Sequence, residues 1–509
     1  EIEPNTPESY AYTYLNFDEA ALRYGRTGGF AHVKTLLDRL REQAGGRQNT
    51  LTLDGGDLWQ GSGTSLWTRG VDMVEASNIL GLDVMVGHWE FTYREDEVLS
   101  NVALFKGDFI GQNVRVKPDS LFSDEYPALV EKYDGRGLYD EDTGHAFQPY
   151  VIKEINGARI AIVGQAFPRT ANANPQEFFP DWSFGLREDD MISLVKGIRE
   201  DENPDAVVLL SHNGMDVDIK MAERVPGLNA VFGGHTHDGM PAPSVVRNAG
   251  GKTLVTNAGS NGKFLGVMDL DVRNGKLQDF RYRLVPVFSD LLAADAEMQS
   301  YIQKVRAPYQ AKLEEKLAVA EETLFRRGNF NGSFDQVICD ALLKVNDAQV
   351  SLSPGFRWGT TVLPGQTITM DNVMDQTCIT YPETYRREMT GADIKAILED
   401  VADNLFNADP YYQQGGDMVR VGGLDYVCEP NQSIGKRVSD MTLDDGSKVE
   451  ADKKYMVSGW ATVGSKSPGR PIWEVVADYL RDQKTIKIRK LNTPKLVGVE
   501  GNPGISSAG

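Results

Sequence analysis

Apolar runs that end at glycine or at a polar residue recur through the first two-thirds of the chain. Five of them cover residues 50–57 (TLTLDGGD), 82–88 (LDVMVGH), 159–167 (RIAIVGQAF), 206–214 (AVVLLSHNG) and 229–239 (NAVFGGHTHDG). Stretches with helical periodicity lie between these runs, for example 71–81 and 190–201. Nearly continuous apolar strands separated by helices predict an α/β domain with much of its sheet buried.

The pattern changes from about residue 251. Strand-like runs there are separated by Asn261-Gly262 and Asn274-Gly275, dipeptides that favour hairpin turns. A charged, alanine-rich helical pattern follows over 293–323, and Pro308 must kink or interrupt it. A second α/β unit begins after this helical pattern. We therefore predict four segments: a first domain over 1–292, a helical linker over 293–325, a C-terminal domain over 326–500 and a disordered tail over 501–509.

Composition narrows the possible partners. The 509-residue chain has a formal net charge of -20, which repels phosphate backbones and argues against a nucleic-acid partner. No apolar run approaches the roughly 18 to 20 residues of a membrane span, so the sequence predicts no membrane-spanning helix. Cys339, Cys378 and Cys428 form no CxxC pair. The sequence is compatible with two states of these cysteines: one disulfide and one free thiol, or three buried thiols.

The histidines provide the chemical signal. Four of the six histidines follow the end of a predicted strand, beside glycine or serine, and Asp57 has the same kind of position. Ligand sites in α/β sheets gather where strands end. Mixed carboxylate and imidazole ligands suit manganese, iron or zinc. The spacing therefore predicts a metal site, whereas His32 and His145 are expected to be structural.

Several motifs together resemble one family. The order GGD, GH-x-E-F, SHNG, GGHTHDG and NAGSNGKFLG is similar to that of the 5′-nucleotidase branch of the metallophosphoesterases. The segment SPGFRWGTTVLPGQTITMDNV resembles the start of that branch's second domain. The resemblance implies a metallophosphoesterase-type β-sandwich flanked by helices, followed by a smaller C-terminal α/β domain of 5′-nucleotidase type.

Within the branch, the chain most resembles the SoxB thiosulfohydrolases. The segments GGDLWQGS, GHWEFTY, GQAFPRTANANPQEFFPDWSFG and QGGDMVRVGG carry this resemblance. It implies a periplasmic, metal-dependent hydrolase of thiosulfate oxidation, of the S-sulfosulfanyl-L-cysteine sulfohydrolase type. Such an enzyme releases sulfate from a cysteine S-thiosulfonate through metal-bound hydroxide. The implied partner is a SoxYZ-type carrier with the modified cysteine near its C-terminus. The implied cofactor is two manganese ions, with zinc or iron as alternatives.

The resemblance also assigns roles to residues. It implies that Asp57 bridges the two metals, that His237 serves one ion, and that three histidines serve the other: His88, His212 and His235. Arg357, in GFRWG, is implied as the catalytic residue that binds the sulfonate oxygens through its planar guanidinium. Gly415 and Gly416 are implied to bind the substrate, because side-chain-free backbone admits an extended peptide.

Two departures from the nucleotidase pattern favour sulfur chemistry. That pattern places a catalytic His and Asp where this chain has Trp89 and Thr92. A tryptophan cannot exchange a proton as an imidazole does, but a thiolate or persulfide leaving group needs little protonation. Asp417 stands about where nucleotidases place an aromatic that stacks on the base. Nucleotide binding is therefore expected to be weak.

One family feature is missing from the sequence. The family opens with a D-x-H motif that supplies two ligands of one metal site, and this chain has no D-x-H before Asp57. The chain begins at Glu1 without Met or a signal segment, so we expect a fragment or a chain whose targeting segment was removed. The alternatives are a non-catalytic carrier-binding homologue and a 5′-nucleotidase-like phosphohydrolase.

Overall fold

The structure is a computed structural model that describes residues 22–133, 139–274, 276–326, 328–464 and 467–500. These residues form two compact units. The first comprises Gly25–Gln60 and Thr64–Ala307, and the second comprises the described residues from Pro308 to 500 together with Gly61–Gly63 and residues 22–24. The predicted disordered tail, 501–509, lies outside the described residues.

The first unit contains ten α-helices and thirteen strands among the described residues. Its helices are α1 (Phe30–Gln43), α2 (Gly63–Thr68, which starts in the loop grouped with the second unit), α3 (Val71–Leu80), α4 (Glu95–Leu104), α5 (Pro118–Leu121), α6 (Glu125–Glu131), α7 (Thr170–Ala173), α8 (Glu188–Gly197), α9 (Met215–Arg224) and α10 (Ala296–Arg306). Its strands are β1 (Leu53–Asp54), β2 (Val84–Met85), β3 (Asp108–Phe109), β4 (Arg115–Val116), β5 (Tyr150–Ile155), β6 (Ala158–Gln165), β7 (Trp182–Ser183), β8 (Ala206–Ser211), β9 (Ala230–Gly233), β10 (Ser244–Asn248), β11 (Gly251–Asn257), β12 (Phe264–Arg273) and β13 (Lys276–Pro286).

Two layers of strands enclose the core of the first unit. One layer is a six-stranded sheet in the order β10-β11-β9-β8-β6-β5, and β1-β2-β3 form a separate parallel sheet. Alternate side chains of the large sheet point to opposite faces, as strand geometry requires. Ile162 and Val208 pack with Val84 of β2 and with the β12–β13 hairpin, while Val163 and Leu209 pack against α8 and α9. The predicted helix-flanked sandwich is confirmed.

The register of the sheet brings the loop-forming ends of its strands together. Strands β6, β8 and β9 are parallel, and Gln165, Ser211 and Gly233 are neighbours at their carboxyl ends. In the small sheet, Asp54 of β1 pairs with Met85 of β2. Within each sheet the chain therefore leaves these parallel strands at the same edge, and the histidine-bearing loops begin there.

From Pro308 onward, the described residues of the second unit contain five α-helices and ten strands. They are α11 (Gln310–Leu313), α12 (Ser333–Val345), α13 (Met370–Thr377), α14 (Gly391–Phe406), α15 (Ile472–Gln483), β14 (Lys316–Ala320), β15 (Val350–Ser353), β16 (Thr367–Thr369), β17 (Thr384–Thr390), β18 (Arg420–Gly422), β19 (Leu424–Cys428), β20 (Val438–Leu443), β21 (Lys454–Trp460), β22 (Thr485–Ile486) and β23 (Lys495–Leu496). A four-stranded sheet in the order β17-β21-β15-β18 is its centre, and α14 packs into the same apolar core. All three cysteines are buried thiols without a disulfide.

Two sequence predictions need correction. The helical linker over 293–325 is wrong in its second half. Helix α10 ends at Arg306, a 3₁₀ turn includes Pro308, and residues 316–320 form strand β14, which pairs with β16 and β22. The hairpin expected at Asn261-Gly262 is also wrong, because β11 pairs with β9 and β10 while β12 pairs with β13. Both residues have positive φ, so the dipeptide forms a turn that passes from one sheet to the other.

The second predicted hairpin is confirmed. Strands β12 and β13 form a two-stranded antiparallel sheet, and Asn274 lies between them with a φ of 52°. Gly275 itself lies outside the described residues. No helix in the described part of the chain is long and apolar enough to cross a membrane.

Candidate metal centre

Four side chains that are distant in sequence converge at the strand ends of the first unit. Asp57, His88, His212 and His235 each offer one ligand atom, and these four atoms lie within 4.8 Å of one another. The three histidines are buried and Asp57 is partly buried. A carboxylate with three imidazoles at this spacing could hold one borderline divalent ion.

The Asp57 carboxylate lies at the centre of the cluster. Its Oδ1 is 3.1 Å from His88 Nδ1, and its Oδ2 is 3.1 Å from His212 Nε2. His237, outside the group of four, places Nε2 3.8 Å from the same Oδ2. Oδ1 therefore faces His88, and Oδ2 faces both His212 and His237.

The protonation of His212 indicates that the cluster fits a cation. His212 Nδ1 hydrogen-bonds the carbonyl oxygen of Gly55, which can only accept, so Nδ1 carries the proton. When His212 is neutral, its other nitrogen, Nε2, presents a lone pair to the Asp57 carboxylate and lies 3.0 Å from His88 Nδ1. Lone pairs that converge in a buried site repel one another unless a proton or a metal ion lies between them. This donor set fits a divalent metal.

The Asp57 carboxylate favours a positive charge beside it. Burial opposes ionisation of both groups, yet the positive field of His212 and His88 holds the pKa of Asp57 well below its usual range. Burial also works against a charged His212, but Asp57 and the Gly55 carbonyl outweigh it and raise the pKa of His212. Asp54, the last residue of β1, is different. Burial raises its pKa to about 7, and its Oδ1 accepts the backbone N–H of Gly56.

Glycines allow the ligand loops to touch. Gly56 has a φ of 95°, and a β carbon there would lie 2.8 Å from His212 Nδ1. A β carbon on Gly234 would lie 2.8 Å from the carbonyl oxygen of Gly55. The GGD and GGH loops therefore pack backbone to backbone, and a side chain at either glycine would displace a ligand.

Glu90 ties two of these loops together. It is fully buried, and its carboxylate accepts four backbone N–H groups: His88 at 2.8 Å, Asp57 at 3.2 Å, Leu58 at 2.5 Å and Trp59 at 3.2 Å. Hydrogen bonds to an ionised acceptor are stronger than neutral ones. Glu90 therefore fixes the backbone that presents Asp57 to the backbone that presents His88.

Phe167 orients two of the histidine rings. It is 2% exposed, and its ring stacks on that of His235 with centroids 4.4 Å apart and an interplanar angle of 26°. The same ring lies 4.2 Å from that of His88. A phenylalanine packed against both imidazoles restricts their rotation and excludes water from one side of the cluster.

A buried polar network includes the two residues on either side of His212 in the sequence. Asp218 accepts from Ser211 Oγ at 2.6 Å and from Asn213 Nδ2 at 3.1 Å, and Gln165 Nε2 donates to Asn213 Oδ1. Burial raises the pKa of Asp218 to about 7, although the hydrogen bonds from Ser211 and Asn213 lower it. The network holds the residues on both sides of His212 in one conformation.

Trp89 and Thr92 have structural contacts. The Trp89 backbone N–H donates to Asp57 Oδ1 at 3.1 Å, and the indole is almost completely buried, 5.5 Å from the His88 ring. The Thr92 hydroxyl donates to the carbonyl oxygen of Trp89 at 2.7 Å. Neither side chain offers the cluster a group that exchanges protons near neutral pH.

The other predicted site residues lie in the second unit. Arg357 is mostly buried, with NH1 3.7 Å from Asp417 Oδ1. Gly415 and Gly416 have φ values of 66° and 87°, and no atom lies within 4 Å of a β carbon placed on Gly416. Both φ values are in the left-handed region, which favours glycine, and the space beside Gly416 is open.

His32 and His145 do not belong to the group of four. His32 Nδ1 lies 2.9 Å from the carbonyl oxygen of Leu292, and His145 Nδ1 lies 2.6 Å from Thr143 Oγ1. Sequence reasoning missed Glu90 and Phe167. Glu90 lies in the GHWEFTY segment and Phe167 in the segment that begins GQAFPRT, but the contacts that define their roles include chain segments that are remote in sequence.

Comparisons with known proteins agree on the fold. A family profile described as 5′-nucleotidase, C-terminal domain, matches residues 316–472. The solved structure of sulfate thiohydrolase SoxB from Thermus thermophilus, in complex with glycerol, is 36% identical with a TM-score of 0.86, covering 98% of this chain and 88% of that one. The 5′-nucleotidase precursor from Thermus thermophilus is 20% identical with a TM-score of 0.76, covering 93% and 94% of the two chains.

Curated relatives carry nucleotidase names. The 5′-nucleotidase of Vibrio vulnificus is 26% identical over 447 residues, 77% of this chain and 75% of that protein. The trifunctional nucleotide phosphoesterase YfkN of Bacillus subtilis is 24% identical over 500 residues, 91% of this chain. The chain spans only 32% of YfkN and 48% of a UshA protein from Yersinia enterocolitica.

Proposed function

We propose that this chain, which belongs to the 5′-nucleotidase branch of the metallophosphoesterases, is a thiosulfohydrolase of the SoxB type. In this proposal its substrate is a cysteine S-thiosulfonate on a carrier protein, and it acts in the periplasm during thiosulfate oxidation. Water adds to the terminal sulfonate sulfur, the bond between that sulfur and its neighbour breaks, and the cysteine persulfide leaves as an anion. The products are sulfate, the persulfide and two protons.

The observation that carries this proposal is the surroundings of Trp89 and Thr92. A phosphate-ester hydrolase benefits from an acid that protonates or stabilises its leaving oxygen. The indole here is packed beside His88, and the Thr92 hydroxyl is committed to a backbone carbonyl. A persulfide is a much weaker base than an alkoxide, so a site without such an acid suits a sulfur leaving group.

The chain's own residues have distinct parts in the proposal. Divalent ions bound by the cluster would supply Lewis acidity, which activates water and offsets charge on the sulfonate. Asp57 with His88, His212 and His235 would hold one manganese ion, and Asp57 and His237 would supply only part of the ligand set of a second. Zinc or iron would also be compatible with these ligand types. Arg357 would bind sulfonate oxygens through its guanidinium. Gly415 and Gly416 would admit the backbone of the carrier segment that bears the modified cysteine.

A nucleotide phosphohydrolase is the second candidate. The names of the Vibrio vulnificus and Bacillus subtilis relatives favour it. It predicts phosphate release from AMP by the same centre. The two candidates differ in substrate but share the metal-ligand set, so a single preparation can test both.

The test begins with manganese-equilibrated protein whose metal content is measured by elemental analysis. It is then offered a peptide with a thiosulfonated cysteine and, separately, AMP. Sulfate release with persulfide formation at the peptide supports the proposal. Metal-loaded protein that releases phosphate from AMP but no sulfate would establish the second candidate. Peptide binding without turnover would establish a non-catalytic carrier-binding protein.

A matched pair of variants locates the activity. His235→Ala removes a member of the cluster, and His145→Ala removes a histidine of equal burial, 7% exposed in each case, that lies outside the group of four. We expect sulfate release to fall by about a hundredfold or more in the first and to change little in the second. Equal activity in both variants would contradict a catalytic role for the cluster.

A further inference from the structure

A chain of buried ion pairs in the second unit ends at Arg357. Arg326 Nε lies 2.7 Å from Asp335 Oδ1, and Arg420 Nε lies 3.3 Å from Asp335 Oδ2. Arg420 NH2 also donates to Asp417 Oδ2 at 2.9 Å, and Asp417 Oδ1 faces Arg357 NH1 at 3.7 Å. Asp417 thus bridges a fully buried guanidinium to the one that the proposed function assigns to the substrate.

The backbone fixes this arrangement. The Asp417 N–H donates to the carbonyl oxygen of Gly355 at 3.1 Å, and a β carbon on Gly355 would lie 2.3 Å from the carbonyl oxygen of Asp417. Arg326 holds the same loop through the carbonyl oxygen of Pro354 at 3.2 Å. The loop that bears Arg357 and the loop that bears Asp417 are therefore held in direct contact, so the carboxylate is a fixed part of the surroundings of Arg357.

We propose that Asp417 is a specificity-determining residue that makes the Arg357 site select monoanions, such as a sulfonate, over dianions, such as a phosphate monoester. This inference rests on the proposed function only in taking Arg357 as the anion-binding group. Asp417 positions the guanidinium and places one negative charge beside it. An incoming anion meets both the attraction of Arg357 and the repulsion of Asp417.

Coulomb's law gives the direction and the size of the effect. The attraction of Arg357 and the repulsion of Asp417 are each twice as large for a dianion as for a monoanion at the same position, so Asp417 takes away more binding free energy from the dianion. The side chain of Asp417 is only 6% exposed, so water screens it weakly. At an effective dielectric constant of about 20 and a few ångströms of separation, the additional charge corresponds to a discrimination of about tenfold or more.

The experiment compares two ligands of nearly equal shape. Methanesulfonate is a monoanion, and methylphosphonate is a monoanion at about pH 6 and a dianion at about pH 8.5. Their dissociation constants for the manganese-equilibrated full chain are measured by titration calorimetry. The quantity of interest is the ratio of the two constants in each variant, because contributions common to the variants cancel in it.

Asp417→Asn keeps the size of the side chain and an oxygen that can accept from Arg420. At about pH 8.5 it should shift the ratio toward methylphosphonate by about tenfold, and at about pH 6 by less than about twofold. Asp417→Ser serves the same purpose if the first variant does not fold. Arg357→Gln should weaken the binding of both ligands, and this result would show that the titrated site contains Arg357.

Asp478→Asn is the matched control. That carboxylate also receives two guanidinium groups, Arg470 at 2.7 Å and Arg481 at 2.8 Å, on the surface of the same unit. An unchanged ratio in Asp417→Asn, an equal shift in Asp478→Asn, or no methanesulfonate binding by the parent chain would each overturn the inference. Sulfate release from the thiosulfonated peptide is measured separately, so its failure would count against the proposed function and leave the binding ratio interpretable.

Discussion

The clearest test of the metal centre is to neutralise Glu90. The change Glu90→Gln keeps the shape of the side chain but replaces one carboxylate oxygen by an amide NH₂. In the native site one oxygen faces the N–H groups of His88 and Asp57, and the other faces those of Leu58 and Trp59. Whichever way the amide is turned, two backbone donors must face another donor.

The magnitude follows from those contacts. A hydrogen bond to a charged acceptor contributes about 1.5–3 kcal/mol, and a buried donor left without an acceptor costs about 1–3 kcal/mol. Losing two of four such bonds should therefore lower the free energy of unfolding by about 3–6 kcal/mol. Because the same bonds align the Asp57 and His88 loops, metal affinity should fall by about 10–100-fold, as for residues that orient metal ligands.

The assay is competition for manganese against a chelator, combined with chemical denaturation. Glu399→Gln is the matched control, since Glu399 is also buried and accepts the backbone N–H groups of Gly435, Arg437 and Val438 in the second unit. It should lose stability but bind manganese as the parent does. Unaltered manganese affinity in Glu90→Gln would refute the positioning role of Glu90.

Three further predictions concern single residues. Phe167→Ala should weaken manganese binding about tenfold and lower the free energy of unfolding by about 3–5 kcal/mol, and calorimetry showing parent-like binding would contradict it. Gly56→Ala should weaken manganese binding by displacing His212. Gly61→Ala, at a φ of 121° with open space beside it, should lower only the free energy of unfolding. Equal manganese affinity in the two variants would count against the displacement of His212. Burial raises the pKa of Glu95 from 4.5 to about 8, so the folded state binds the additional proton and stability should fall as pH rises across that window. Denaturation across this range should show Glu95→Gln with a flatter profile, and identical profiles would refute the assignment.

The sequence specified the positions of the strands that carry the chemistry. The runs before His88, His212 and His235 are local hydrophobic patterns, and strands were found at Val84–Met85, Ala206–Ser211 and Ala230–Gly233. Local patterns also located the interruption at Pro308. They were misleading where strand pairing decides the outcome. Residues 316–320 have helical composition, but their backbone hydrogen bonds go to β16 and β22.

What the sequence determined by itself is which residues stand at strand ends, because side-chain periodicity and turn preference are set by near neighbours. Only the tertiary structure decided that Asp57 and His212 would place their ligand atoms 3.1 Å apart, since they are 155 positions apart along the chain. It also decided the role of Glu90, whose contacts are to backbone groups without any sequence signature. The pairing of Asp417 with Arg357 depends on the close approach of two loops at Gly355. These contacts exist only once both sheets have formed, because burial brings the segments together and gives each buried charge its partner.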